Sequence, residues 1–492
     1  MKLILRHLLT IAVVALFATH HALGADFSPR VVSGKVTCGK KGMSGVPVTD
    51  GYNFALTDKE GKYELPLNEA ASFVYITTPA GYLPDHNAYH PQFYIPIADD
   101  CTQYDFSLIK NKKDDRKHVA YVQTDVQVVE ERELGIYDAQ VEDAKKELKQ
   151  YAKDYDIFGI DCGDLVSDHP ELYPSTLKHY AGLEFPVYRT MGNHDQNYDG
   201  RSDETSNKRF ESVWGPSRYS FNRGNVHYIV IDNVFYIGRD YFYMGYIDEA
   251  TYAWLEKDLA NVPENSTVII SMHIPSHLKN PAPAFTYNGS EVSRQMVNFR
   301  GLHKLLEPYN AHIFSGHTHC NLTLQFAPNL IEHNHAAACG TWWDLPVCQD
   351  GTPQGYAVYV VDGDDIKWYY KGAATDRNHQ FRAYPVGYDS KNPDKIVVNV
   401  WNYDPQWKVE WLEDGVVKGE MTNFSGQDPY VLDLIGDRKH LRYSWIGAAV
   451  NDHMFSCTPE NPDAKITIRV TDRFGNVYED VPVIPVNPFK QQ

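Results

Sequence analysis

Val187-Tyr188-Arg189-Thr190-Met191-Gly192-Asn193-His194-Asp195 reads as a short apolar strand that stops in a run of metal-binding side chains. An amide, an imidazole and a carboxylate follow the last apolar residue directly. The same arrangement recurs along the chain in both directions. Thr124-Asp125-Val126-Gln127 closes the strand candidate 118–124, and Cys162-Gly163-Asp164 follows 157–161. His273 ends the strand candidate 268–272, and Gly316-His317-Thr318-His319 follows 312–315. Residues 226–231 form a further strand candidate. Amphipathic helix candidates lie between the strands at 138–152, with Val141, Ala144, Leu148 and Tyr151 on one face, and at 248–259. Strands alternating with helices imply a layered α/β domain. The C-terminal strand ends of such a sheet share one edge, so the polar groups are expected to converge there.

One strand-end histidine among 21 in the chain reads as a structural or surface residue, and Gly-Asp or Asn-His pairs alone are ordinary turn and cap chemistry. Five successive strand ends carrying ligand-type residues point instead to a site. Carboxylates, amide oxygens and imidazoles without a thiolate suit two borderline or hard divalent metals better than one structural zinc.

On these blocks, residues 118–371 resemble the calcineurin-like metallophosphoesterase family. Its motifs run Asp-x-His, Gly-Asp-x-x-Asp, Gly-Asn-His-Asp/Glu, a strand-ending His and Gly-His-x-His. Residues 192–195, 272–273 and 316–319 match whole blocks, and Arg218-Tyr219-Ser220-Phe221 with Gly224-Asn225-Val226-His227 match the family's edge strands. Trp342-Trp343 and the stretch 350–356 resemble an exported bacterial subgroup with a sandwich added at each end. The resemblance implies an α/β fold: a central two-layer β-sandwich flanked by helices, with a small all-β domain at either end. It also implies two divalent metal ions (Mn, Fe, Zn or Mg). Asp164 would bridge them, one metal also binding Asp125 and His319, the other Asn193, His273 and His317. A hydroxide between the metals would attack phosphorus in line, with His194 stabilising the transition state or protonating the leaving oxygen. The expected activity is hydrolysis of a phosphomonoester or phosphodiester, such as a sugar phosphate or nucleotide.

Two blocks depart from the family pattern. Gln127 stands where a metal-binding His is usual; its amide oxygen is a harder, weaker ligand that favours Mn or Mg. Ser167 occupies the place of the carboxylate that orients the catalytic His, leaving Asp168 or Asp195 for that task, with Asp168 preferred. These departures carry the competing expectation, a glycan- or protein-binding module with a vestigial site.

Outside the central domain, the expected divisions are a signal peptide at 1–24, an all-β domain at 25–110, the catalytic domain at 118–371 and a β-sandwich at 385–492. Lys2 and Arg6 precede an apolar run of about eleven residues and a small-residue cleavage site. That run is shorter than the ~20 residues that span a bilayer. No Cys follows the predicted cut, so export to the periplasm or medium without a membrane anchor is expected. The N-terminal strands at 31–36, 46–48, 62–65 and 73–76 are set off by turn residues, and the segment resembles the transthyretin-like or carboxypeptidase-regulatory sandwich. The charge run 111–117 and the stretch 372–393 read as linkers, and strands at 397–401, 407–411 and 466–470 suggest the terminal sandwich.

The formal charge is −18, with 46 Lys+Arg against 64 Asp+Glu. That balance excludes a general nucleic-acid binder and leaves a small-molecule or glycan phosphoester as the expected partner; the oligomeric state is left open. Seven cysteines include no Cys-x-x-Cys pair; a Cys38–Cys101 bridge is one candidate pairing. Phe235, Tyr236, Tyr241, Phe242, Tyr243 and Tyr246, together with Trp342 and Trp343, either rim the site or pack the added sandwiches onto the centre. Their spacing within 232–246 suggests neither a strand nor a helix.

Overall fold

The computed structural model describes residues 30–86, 90–238, 242–283 and 289–490; the expected signal peptide lies outside them. Two sheets stack at the centre. The first runs in the order Val187–Arg189, Asp156–Asp161, Lys117–Gln123, Gly355–Asp362, Asp365–Gly372, its first three strands parallel. The second runs Tyr219–Arg223, Val226–Val230, Thr267–Ser271, Asn310–Ser315, Leu330–Asn334, Leu322–Ala327, its inner four parallel.

Side-chain alternation sorts each strand between two cores. Ala120, Val122, Phe158 and Ile160 face Phe221, Tyr228, Ile269 and Phe314 between the sheets. Val119 and Tyr121 turn outward onto Leu134, Tyr137 and Val141 of the helix Glu131–Leu148. Val268 and Ile270 likewise meet Trp254 and Leu255 of the helix Glu249–Leu259. Both sheets are thus buried on both faces, which explains why their strands read as nearly continuous apolar runs. The expected two-layer centre with flanking helices is present.

Two helix starts show how local chemistry sets boundaries. Asp248 caps the second helix by accepting from Thr251 N at 2.7 Å, as the sequence suggests. The first begins seven residues before the expected 138, with Glu131 and Glu133 in its first turn and Gly135 inside it. Acidic residues there complement the helix dipole, whereas the apolar pattern alone starts later.

All-β sheets lie at each end. Val31–Cys38 pairs with Lys62–Pro66 and Phe106–Lys110, and Pro47–Thr49 joins Phe54–Leu56 and Phe73–Ile76. At the other end, Ile396–Asn399 and Val450–Cys457 form one sheet, while Lys408–Glu413 and Ile466–Thr471 form the other. The helix Pro429–Ile435, capped by Asp428 on Val431 N at 2.9 Å, was not expected.

Two segments read as linkers are structured. Asp115 is buried, and Lys113 Nζ donates to the carbonyls of Ala152 and Tyr155 at 2.8 and 2.7 Å. Arg382–Tyr384 is a strand paired with Ile396–Asn399. Polar composition marks exposure of side chains, and here backbone pairing and ion anchoring fix both stretches. Cys38 and Cys101 are free thiols, as are the other five cysteines, so the candidate bridge is not formed. Among the described residues no helix is long and apolar enough to cross a membrane.

Candidate metal centre

The five strand ends meet at one edge of the sandwich, and two glycines let them close. A Cβ on Gly192 would overlap the Asp164 carboxylate, and one on Gly316 would overlap Thr124 Oγ1 and crowd Asp125 Oδ2. Each glycine therefore permits a second strand end to reach a buried carboxylate. Six of the nine expected site residues hold positive φ: Asp125 (52°), Gln127 (44°), Asp164 (56°), Asp168 (62°), His317 (72°) and His319 (55°). For residues other than Gly this conformation costs on the order of 1 kcal/mol or more each. Its concentration here marks a site whose geometry is imposed by the surrounding fold.

Asp125 and Asp164 are buried, 0% and 1% exposed. Asp125 Oδ1 lies 3.2 Å from His319 Nε2, and its Oδ2 accepts from His317 N at 2.9 Å. Asp164 Oδ2 lies 3.3 Å from His273 Nε2, which also meets Asn193 Oδ1 at 3.0 Å. Asp164, His273 and His317 offer ligand atoms all within 4.8 Å of one another. Gln127 Nε2 donates to Asp164 Oδ2 at 2.7 Å. Gln127 Oε1 is buried and accepts no hydrogen bond, and buried Asp125 Oδ1 has only the His319 imidazole beside it. A buried acceptor without a donor is costly, and a cation satisfies both oxygens, so these residues fit a divalent metal pair. A half-turn of the Gln127 amide places an oxygen where its Nε2 now meets Asp164.

Charge in this cluster is strongly coupled. Burial alone would push the Asp125 and Asp164 carboxyls up, yet His319 beside the first and His273 beside the second hold both below the ordinary carboxylate value. Burial disfavours an imidazolium, but Asp164 raises His273 to about 9 and Asp125 helps raise His319. His317 is lowered to about 3 by burial and by neighbouring His273, so its ring is a neutral ligand. Its Nε2 donates to Ser293 O at 2.9 Å, and His273 Nδ1 donates to Cys162 O at 2.9 Å. Such contacts leave the other ring nitrogen aimed inward, the usual outer support of a metal-bound imidazole.

His194 follows Asn193 on a single 3-10 turn and is pinned by its backbone N–H donating to Asp164 Oδ1 at 2.8 Å. Its Nδ1 meets Asp168 Oδ1 at 2.8 Å, and 30% of the imidazole stays exposed. Asp168, one residue beyond the expected spacing, thus bonds the His194 ring, and Asp168 N donates to His194 O at 3.1 Å. Asp195 is engaged elsewhere. It accepts from Gly192 N at 3.0 Å, Leu165 N at 3.2 Å and Tyr173 OH at 3.0 Å, and burial pushes it up to about 7.

Some of the aromatic residues lie against the histidines of this cluster and others pack within the fold. Trp342 stacks on His319 with centroids 4.4 Å apart, and Tyr243 stands edge-on to His317 at 6.1 Å. Trp343 packs into the helix-side core, its Nε1 donating to Val126 O at 3.0 Å. Phe235 packs on Tyr246, and Tyr236 is buried. The strands Val234–Gly238 and Phe242–Gly245 form a hairpin, where strand structure was not expected; Tyr241 lies outside the described residues. A bulge between Tyr236 and Gly238 breaks the alternation that would have revealed it. Two nearby groups carry no sequence signal at all: Tyr198, whose OH donates to Asn193 O at 2.7 Å, and Trp445, which meets Trp342 from the connection between Pro429–Ile435 and Val450–Cys457.

Residues 30–111 match a family model for the N terminal of calcineurin-like phosphoesterase, 120–321 the model for calcineurin-like phosphoesterase, and 332–478 that for its C terminal. A 3′,5′-cyclic-nucleotide phosphodiesterase of a Nostoc species is 33% identical over 132 residues. That match covers 26% of this chain and 45% of the relative, less than half its length. Among solved structures, a dimetal phosphatase of Danio rerio aligns over 53% of this chain and 97% of its own, at 14% identity and a TM-score of 0.39. A purple acid phosphatase of yellow lupin (Lupinus luteus) aligns over 70% and 72% at 13% identity and a TM-score of 0.36.

Proposed function

This chain belongs to the calcineurin-like phosphoesterase family, and we propose that it is an exported two-metal hydrolase of a phosphomonoester or phosphodiester. The observation that carries the proposal is the convergence of Asp125, Asp164, Asn193, His273, His317 and His319, with buried Gln127 Oε1 left without a donor. Two divalent cations held there supply the charge that acidifies a water and offsets charge on the phosphoryl oxygens. Asp164, placed between the His273 and Gln127 sides, would be the ligand shared by both, and Gln127 would complete the set through its amide oxygen.

His194 does the proton work. Asp168 accepts from Nδ1–H and so fixes the ring orientation, leaving Nε2 to carry a proton to the leaving oxygen. A partly exposed imidazole suits that task, because the leaving group must enter and depart. Asp168 in this position also weakens the binding-module alternative, since Ser167 no longer implies a lost orienting carboxylate. We further propose the division into an N-terminal all-β domain, a catalytic domain near 118–371 and a C-terminal sandwich. A nucleotide or sugar phosphate is the favoured substrate class, in keeping with the cyclic-nucleotide activity carried in the Nostoc relative's name.

Asp164→Asn tests the assignment. It removes a charge and a shared ligand together, so loss of at least one metal per chain and of nearly all turnover of p-nitrophenyl phosphate and its bis ester is expected. Two bound metals with normal turnover in that variant would remove Asp164 from the mechanism.

A further inference from the structure

We propose that Trp445, supplied by the C-terminal sandwich, binds the organic group of the substrate as the outer half of an aromatic ledge begun by Trp342. The inference rests on the hydrolase proposal above and deepens it by assigning a residue that binds the ring of the nucleotide or sugar phosphoester.

Position comes first. The Trp342 ring lies over His319 with centroids 4.4 Å apart and planes 30° from parallel. Trp445 meets Trp342 edge to face at 4.2 Å and 89°. The two steps laid end to end bound the Trp445–His319 separation at about 9 Å. A group esterified to a phosphate beside His319 is long enough to cover that distance.

Exposure is the second observation. Trp445 is 57% exposed, unusual for a side chain that normally hides most of its surface. One side is covered by Tyr443, stacked at 5.1 Å and 25°. The exposure does not come from a loose loop. Arg442 pairs with Glu133 at 2.6 Å and Asp344 at 2.8 Å, and donates to Trp342 O at 2.6 Å. Arg438 donates to the carbonyls of Ser444 and Ile446 at 2.6 and 2.7 Å. A large aromatic surface is therefore held in water beside the metal centre, clamped on both sides of its own residue. Preorganised indole faces bind flat rings at little entropic cost. A chain with a formal charge of −18 gains little long-range attraction for an anion, so stacking supplies affinity that charge does not.

The test measures binding of inorganic phosphate, thymidine 5′-monophosphate and glucose 1-phosphate to the metal-loaded protein by calorimetry. Wild type is expected to bind at least one ring-bearing ligand more tightly than phosphate. Trp445→Ala should weaken that ligand by about 5- to 150-fold, the usual worth of one base–aromatic stack, with phosphate affinity and melting temperature held. Trp445→Phe should recover most of the loss. Preference for the nucleotide or the hexose arm identifies the ring as base or sugar. Equal affinities of wild type and Trp445→Ala for all three ligands, or equal weakening of all three, overturns the ledge. Absence of phosphate binding by loaded wild type instead removes the hydrolase proposal, and the ledge with it.

Discussion

At His194 two anions compete with burial for the state of one proton. Burial lowers an imidazole, but Asp164 and the Asp168 hydrogen bond together raise His194 above its ordinary value. A general acid must be protonated, so activity that depends on it falls as pH rises through this pKa. Asp168→Asn deletes one of the anions, lowers the pKa and moves the alkaline limb of the kcat profile to lower pH. A limb that stays in place would show that Asp168 does not tune the acid. His194→Ala should lower turnover by roughly 10²–10⁴, with metal content and melting temperature unchanged. The loss should shrink as the leaving group becomes better, since a good leaving oxygen departs without a proton. Equal losses across a leaving-group series would contradict proton donation. The ligand-type residues that converge here were legible in the sequence because each lies within four residues of the end of an apolar strand. The hydrogen bond between His194 and Asp168 was not, because it depends on the left-handed turn at Asp168 (φ 62°), which motif spacing does not encode.

Among the elements, the buried strands were the most legible, because fully covered strands are apolar on both faces. The bulged hairpin and the short helix Pro429–Ile435 were not, the one lacking clean alternation and the other having only seven residues. A polar residue inside a strand is equally silent in sequence. Leu330–Asn334 is buried throughout and carries Glu332, which is 1% exposed. Glu332 Oε1 accepts from Ser276 N at 2.8 Å and Ser315 Oγ at 2.9 Å, and Oε2 accepts from Ser276 Oγ. Burial pushes it up to about 7, well above an unfolded Glu near 4.3. The folded chain then holds a proton that the unfolded chain releases. Its stabilising contribution is complete below about pH 4.3 and is lost as pH rises through about 7, with a slope of about 1.4 kcal/mol per unit. Asp195, also raised to about 7, acts in the same direction, whereas His118 and His335, both lowered to about 4 by burial, act oppositely. Comparing variant with wild type isolates Glu332. Glu332→Gln cannot titrate, so its melting temperature relative to wild type should become steadily more favourable from pH 5 to about pH 7 and level off above it. A difference independent of pH would mean that Glu332 is ionised in the folded protein at both ends of that range.

At the scale of the whole molecule, the two end sandwiches are attached differently. The N-terminal sheets share one apolar core with the centre, through Phe93 against Tyr219 at 4.6 Å and Tyr188 at 6.3 Å. The C-terminal sheets combine an apolar patch, Leu345 and Val347 on Tyr384, Val397 and Leu434, with buried polar ties. Asn399 Nδ2 donates to Asp350 O at 2.7 Å, and His453 Nε2 lies 3.3 Å from Asp350 Oδ2. Arg442 is the charged tie: Glu133, with a wholly buried side chain, has its guanidinium 2.6 Å away. Breaking a buried pair on one side typically costs 3–5 kcal/mol because the remaining charge has no counterion. The Arg442 side chain is 30% exposed, so water can reach part of the gap and about 1–3 kcal/mol is expected for Arg442→Ala. The melting temperature should fall by several degrees. If the unpaired Glu133 carboxylate is the cause, adding Glu133→Gln should recover part of that fall, because a neutral amide needs no counterion. Scanning calorimetry of wild type, both single variants and the double variant gives the coupling directly. A double variant no more stable than Arg442→Ala would place the cost in the other contacts of Arg442, its ion pair with Asp344 and its packing on Tyr443, and the pairing with Glu133 would then contribute nothing measurable.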